Sequence, residues 1–276
     1  MEFKRKHLDA EIRNYVKLCT DTGRMYYQSN HPDIGGMARL ILRTIRPQAA
    51  DGRQKVRIGG GGDGGYVMLD PGENGIAYSF GVAHYSPWDL EMAQRGFKVY
   101  QYDGSVENGP DAHPNLFFTK AFIGESPVEG VPAKTFRQIL ADNGHENERD
   151  IVLQIDIEGA EWDFFKSMDK EDMLRFSQII VEFHDLDFSP ELLDILEKMR
   201  ETHTPVHVHN NNAGAPLLIM PDNFIYNGNL FEVTYARSRD YAFRNDNGYF
   251  PTPLDSPNCV EFPDIPLGYF DLLLDT

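Results

Sequence analysis

Between residues 76 and 200, short apolar runs alternate with segments of helical periodicity. That alternation restricts the fold more than any other property of the chain. Residues 76–80, 98–102, 116–119, 151–157 and 179–183 read as strands, and 87–95, 136–141, 161–167 and 190–200 as helices. A helix between two strands acts as a crossover, so the strands lie parallel and the helices cover both faces of their sheet. Two later apolar runs, 205–209 and 231–236, have no helix between them and read as an antiparallel hairpin at one edge. The expected fold is α/β: a doubly wound, mainly parallel seven-stranded sheet with an antiparallel C-terminal hairpin.

Upstream, Leu8, Ile12, Tyr15, Val16 and Cys19 repeat at helical spacing. So do Met37, Leu40, Ile41 and Ile45, before Pro47 and Asp51-Gly52 end the pattern. These segments suggest an N-terminal helical cap over residues 1–52, and they are also candidates for a homodimer contact. Residues 53–240 would form a Rossmann-like core. Residues 241–276, rich in Pro, Asn, Asp and aromatics, would form a tail packed on it.

Charge narrows the partners. With 26 Lys and Arg against 43 Asp and Glu the net charge is −17. The longest basic run is Lys4-Arg5-Lys6. Nucleic acids and anionic membranes need basic clusters, so neither is expected as a partner. No run approaches the ~18 apolar residues of a membrane helix, and no apolar region follows the basic start as in a signal peptide. Two cysteines, Cys19 and Cys259, make no disulfide framework. A reducing cytoplasm is the expected location.

The run Gly59–Gly65 contains GxGxxG twice. A dinucleotide turn needs a helix directly behind the glycines, yet Tyr66-Val67-Met68-Leu69 reads as a strand. A P-loop is excluded because no Gly-Lys-Ser/Thr follows. The run is either a hairpin loop between 56–58 and 66–69 or a loop whose bare backbone approaches a ligand.

The ends of the strands carry more chemistry. Strand 76–80 runs into Gly81, and strand 98–102 into Asp103-Gly104. In an open α/β sheet ligands sit beyond the carboxyl ends of the strands. Gly81 would let the backbone approach a nucleotide-like ligand, and Asp103 would accept ribose hydroxyls; Asp103 is equally suited to a turn. Asp156 and Glu158 end the apolar strand 151–157, where they would share one face or cap the next helix. Glu182, His184 and Asp185 end the next strand. His207 and His209 face one way in theirs.

These residues resemble the class I S-adenosylmethionine-dependent methyltransferases, and within them the FkbM-like branch. Gln154-Ile155-Asp156-Ile157-Glu158-Gly159-Ala160-Glu161-Trp162 is similar to that branch's Lys-Ile-Asp-Val-Glu-Gly-Ala-Glu signature, with Gln154 in place of the Lys. Gly62-Asp63-Gly64-Gly65-Tyr66-Val67 and Phe231-Glu232-Val233-Thr234-Tyr235 resemble further elements of the group. Phe80-Gly81-Val82-Ala83-His84 departs from the usual glycine-rich cofactor turn.

The resemblance implies methyl transfer from S-adenosylmethionine to an oxygen, often on a sugar or glycosylated metabolite. Cofactor contacts would then come from Gly62, Asp63, Gly64, Tyr66, Gly81, Asp103, Gly104 and Asp156. His184 or His209 would be the general base, with Asp156 orienting the acceptor or ligating a metal. Asp156, Glu182, His184 and His209 would hold Mg2+ or Mn2+. Two other functions use the same residues: a metal-dependent hydrolase built on the Asp/His cluster, and a non-catalytic module that binds a nucleotide or glycan. A dehydrogenase ranks last because no helix follows the glycine run.

Overall fold

The computed structural model describes residues 1–186, 189–220, 223–228 and 230–274. Its central sheet has seven strands. In chain order they are β3 (Gly75–Phe80), β4 (Phe97–Tyr102), β5 (Leu116–Thr119), β6 (Ile151–Ile155), β7 (Phe176–His184), β8 (His203–His209) and β9 (Leu230–Arg237). β1 (Lys55–Ile58) and β2 (Tyr66–Leu69) form a separate antiparallel hairpin around the glycine run. The sheet order is β8-β9-β7-β6-β3-β4-β5, parallel except for β9.

The last two strands pair antiparallel, but they do not simply extend one edge. β9 inserts between β7 and β8 and leaves β8 outermost. The register aligns Glu182 with Glu232, and His209 with Glu232. The connection between β8 and β9 carries two short strands, Leu217–Ile219 and Phe224–Tyr226, which form a second sheet with Tyr27–Ser29.

Alternation along each strand divides the sheet into two faces. On one face Ile179, Val181 and Phe183 join Tyr78, Phe80, Leu153 and Ile155 in the main core. It is covered by α2 (Pro32–Thr44), α4 (Phe136–Asn143), α5 (Glu161–Ser167), α6 (Pro190–Arg200) and the C-terminal helix Phe270–Leu274. α4 has a full capping box, with Thr135 accepting from Gln138 N and Gln138 returning the bond. The other face carries Ala77, Val99, Val152 and Ile180 beneath α3 (Pro87–Gln94) and the β1–β2 hairpin, with Trp88 fully buried between them. Truncating such a side chain costs about 3–5 kcal/mol.

The first helix, α1 (Glu2–Thr22), packs elsewhere. Leu8, Ile12, Tyr15 and Cys19 lie against Leu218 and Ile225 of the second sheet and against Ile265 and Leu272 of the tail. α2 belongs to the main core. No helix among the described residues is long and apolar enough to cross a membrane.

Candidate functional site

β3 and β6 are adjacent in the sheet although the chain runs from β3 outward to β4 and β5 before returning. This switch point leaves a crevice at the carboxyl ends of the strands. The crevice there is a cleft of about 300 Å³. Tyr102, Asp103, Gly104, Ser105, Ala121 and Phe122 line one end, and Asp63, Gly64, Tyr66, Gly81, Asp156 and Glu158 the other. Four carboxylates line the cleft, with no Lys or Arg among the lining residues.

Two glycines shape the walls. Gly81 has φ +81°, and a Cβ there would overlap the Asp156 carbonyl oxygen. The neighbouring strands are also joined there, since Asp156 N donates to Phe80 O at 2.9 Å. A Cβ at Gly104 would overlap the Phe122 ring. Six of the expected cofactor contacts, Asp63, Gly64, Tyr66, Gly81, Asp103 and Gly104, line this cleft with Asp156. Gly62 does not. Its N–H is turned to the tail, donating to Ser256 Oγ at 3.0 Å, and its carbonyl accepts from Arg57.

Asp103 is in place but already occupied. Its Oδ2 accepts from Val82 N (2.9 Å) and Ala83 N (2.8 Å), and its Oδ1 from Ser105 N (2.7 Å) and Ser105 Oγ (2.6 Å). A carboxylate has about four lone-pair sites, so this one holds the turn after Gly81 in shape. Burial raises its pKa, but the Ser105, Ala83 and Val82 bonds outweigh that and keep it below the usual range.

The strand before Asp156 ends at Ile155, one residue short of it. Alternation therefore does not set the relation of Asp156 to Glu158. Glu158 lies in a turn with φ +57°. Glu161 organises that turn. It is fully buried, and its Oε1 accepts from Ile157 N at 2.6 Å and its Oε2 from Gly159 N at 2.9 Å. Oε1 also lies 3.2 Å from His184 Nδ1. A carboxylate can only accept there, so the Nδ1 carries the hydrogen. Trp162 Nε1 donates to His184 O at 2.7 Å and holds the backbone.

The other ring nitrogen, Nε2, faces the carboxylates of Asp156 (3.8 Å) and Glu158 (3.4 Å). Burial pulls the imidazolium down. The Glu161 bond and charge, with Asp156 and Glu158, outweigh it and raise His184 to about 9. Asp156 is raised to about 7 by burial, against the pull of His184.

The expected metal set does not assemble as a group of four. Among the described residues, Asp156, Glu161 and His184 offer ligand atoms within 4.8 Å of one another; Glu182 and His209 are outside that group. Both ring nitrogens of His209 face carboxylates, Nδ1 on Glu232 (3.0 Å) and Nε2 on Asp264 (2.9 Å). Both must donate, so His209 is an imidazolium with no lone pair for a proton or a metal. Burial lowers its pKa, but Glu232 and Asp264 carry it well above the ordinary value. Glu182 accepts from Asn211 Nδ2 at 3.0 Å through Oε1, and its carboxyl is raised well above the usual range by burial and by Asp156.

The tail closes this polar face. Asp255 meets His207 Nε2 at 2.7 Å, and Asn258 donates to Glu232 (2.6 Å) and Asp63 (3.2 Å). Glu161, Asp255, Asp264 and Asn258 are the site residues that strand-end reasoning misses. Only Glu161 leaves a local signal, an acid in the first turn of α5.

No curated protein matches the chain. From the residue after β2 to the first residue of β8, residues 70–203, the chain matches the family model of the methyltransferase FkbM domain, and over this part it is similar to that family.

Proposed function

We propose that the protein transfers the methyl group of S-adenosylmethionine to a hydroxyl of a sugar or glycosylated metabolite. The observation that carries this reading is the Asp156–His184 pair at the acidic end of the cleft, with Glu161 fixing the imidazole from behind. Gly104 and Phe122 suit the adenosine at the other end, and the Gly81 turn suits the methionine portion. A carboxylate-lined wall without basic side chains favours a sulfonium.

When bound, S-adenosylmethionine supplies the methyl group and leaves as S-adenosylhomocysteine. The residues have two tasks. The first is alignment, since an in-line displacement gains much of its rate from positioning. The second is removal of the hydroxyl proton, which the Asp156–His184 pair is placed to assist. The donor set also suits a divalent ion. Asp156 and the Nε2 of His184 would hold it, and the ion would supply Lewis acidity that lowers the hydroxyl's pKa.

The first test is calorimetry with S-adenosylhomocysteine. We expect one molecule per chain, binding more weakly to Asp103→Ala. Absence of binding by folded protein refutes the reading. The second test is methyl transfer to a panel of sugars and glycosides. We expect His184→Ala to reduce kcat by about 10²–10⁴-fold while S-adenosylhomocysteine affinity stays within a few-fold.

A further inference from the structure

We infer that the ring of Tyr85 is the platform on which the acceptor's sugar lies, with the exposed carboxylates of Asp63 and Glu158 taking its hydroxyls. The acceptor is then a neutral pyranoside that offers one open face of C–H bonds. The inference deepens the methyltransferase reading and rests on it only for what happens to the bound sugar.

Tyr85 is 65% exposed, and it is the one exposed large apolar residue among the described residues that line the cleft. Among the described residues its ring meets no other ring or cation, and its hydroxyl has no hydrogen-bond partner. A single aromatic on an open convex surface needs no explanation. Tyr85 differs in its support and in its place.

Its support comes from both sides of the backbone. Upstream, Val82 N and Ala83 N donate to Asp103 Oδ2 at 2.9 and 2.8 Å. Ala83 is held there at φ +43°, in the left-handed region that a non-glycine residue keeps only under constraint. Downstream, Ser86 and Trp88 are buried. The glycine run lies against this segment. A Cβ at Gly64 would come within 2.9 Å of Pro87 Cδ, and one at Gly59 within 2.9 Å of Trp88 N. Gly59 N also donates to Glu91 Oε2 of α3 at 2.8 Å. The glycines are thus bare so that the β1–β2 hairpin can brace the turn that carries Tyr85. A tyrosine on a backbone fixed from both ends loses little freedom when a ligand covers it, which favours binding.

Its place is the acidic end of the cleft. The Tyr85 carbonyl oxygen is 3.9 Å from the point a Gly64 Cβ would occupy, and Asp63 and Glu158 line the same end. Phe122, suited to the adenosine, lies at the other. Both acids reach solvent: Asp63 is exposed, and the Glu158 side chain is 87% exposed. An ionised carboxylate only accepts hydrogen bonds, and sugar hydroxyls donate them. The face of an aromatic ring carries partial negative charge, and the C–H bonds of a pyranose present their positive ends to it. An apolar platform with acceptors at its edge therefore matches a sugar ring, apolar on its face and polar around its rim. An open-chain polyol has the hydroxyls without the face. A sugar phosphate adds anionic oxygens that this end repels.

The test uses the whole chain, with and without S-adenosylhomocysteine, and saturation-transfer NMR with the aromatic protons irradiated. The probes are methyl β-glucopyranoside, methyl β-galactopyranoside and sorbitol. We expect transfer to the ring C–H protons of at least one glycoside, strongest on one face, and none to sorbitol. Tyr85→Phe and Tyr85→Trp should keep that signal, and Tyr85→Ala and Tyr85→Leu should lose it. In methyl transfer to that glycoside, Tyr85→Ala should raise KM about tenfold with kcat nearly unchanged. S-adenosylhomocysteine affinity, by calorimetry, should stay within a few-fold in all four variants. The side chain is exposed, so all four should fold.

Absence of transfer to either glycoside at high millimolar concentration overturns the inference. So does an undiminished signal in Tyr85→Ala, or one kept by Tyr85→Leu, which would make the residue mere apolar cover. An order-of-magnitude loss of S-adenosylhomocysteine affinity in Tyr85→Ala would assign the ring to the cofactor and overturn it too. Binding of S-adenosylhomocysteine without a glycoside signal would reject the platform and keep the methyltransferase reading. A glycoside signal without S-adenosylhomocysteine binding would do the reverse.

Discussion

At the residue scale, three hydrogens converge on Glu161: two backbone N–H groups and the Nδ1–H of His184. The last of these leaves Nε2 as the only nitrogen that can take a proton from the cleft. His184 is held up to about 9, so in the unliganded protein it is charged at neutral pH. Methyl transfer should therefore rise with pH up to about 9, whether the imidazole acts as base or as ligand. Glu161→Gln removes the largest upward influence, so the rise should move to lower pH as its plateau falls. A pH–rate profile of both proteins checks this. Stability should follow the opposite course. A raised folded-state pKa stabilises fully below about 6.5, and the benefit is lost as pH climbs through about 9. Thermal melts from pH 6 to 10 should show this loss, and His184→Gln should flatten it. Gly81 gives a sharper expectation. Gly81→Ala places a Cβ on the Asp156 carbonyl at φ +81°, which should lower Tm and abolish S-adenosylhomocysteine binding in calorimetry.

At the element scale, the tail behaves as part of the core. Asp255 and His207 are nearly inaccessible, with side chains 1% and 3% exposed and 2.7 Å apart. Burial raises the Asp255 carboxyl. The charge and hydrogen bond of His207 outweigh this, helped by His209 and Thr252 N–H, and hold it well below the usual range. A depressed carboxylate pKa stabilises above about pH 4, and the benefit is lost only in stronger acid. Burial keeps the His207 imidazole below its ordinary pKa, so Asp255→Ala leaves a neutral buried imidazole without its partner and should cost about 1–3 kcal/mol. Differential scanning calorimetry should then show a Tm lower by roughly 2–12 °C. The order of strands and helices from β3 to α6 is legible in the sequence, because each element carries its own periodicity. Asp103, Asp156 and His184 are legible too, as polar residues interrupting apolar strands at their ends. The pairing partners are not. Nothing local announces that Phe231–Ala236 slots inside Pro205–His209, or that Tyr27–Ser29 pairs with Leu217–Ile219. The role of His209 fails for the same reason: Asp264 lies 55 residues away and Glu232 lies 23.

At the scale of the whole molecule, the net charge of −17 has a local counterpart in the cleft. Asp63, Asp103, Asp156 and Glu158 line it, with Glu182 and Glu232 buried nearby on the same face of the sheet. A methyl donor bound in this cleft, as proposed, would meet a negative field from Asp63, Asp103 and Glu158. S-adenosylmethionine carries one more positive charge than S-adenosylhomocysteine, at the sulfur. In an acidic cleft that charge should make the donor bind more tightly than the product. The advantage should shrink as salt screens the carboxylates. Calorimetry of both molecules at about 0.05 M and about 0.5 M salt should show donor affinity falling more than product affinity. Equal losses would mean that the carboxylates are neutralised within the site and exert no field on the sulfur. The same field bears on the acceptor. Its phosphorylated form would bring anionic oxygens to a wall without a basic side chain, where like charges repel and cannot be paired. Among sugars that differ only in this group, the neutral or amino form should be methylated and the phosphate ester should not. A phosphate ester methylated as fast as its neutral parent would show that the acceptor binds outside this field.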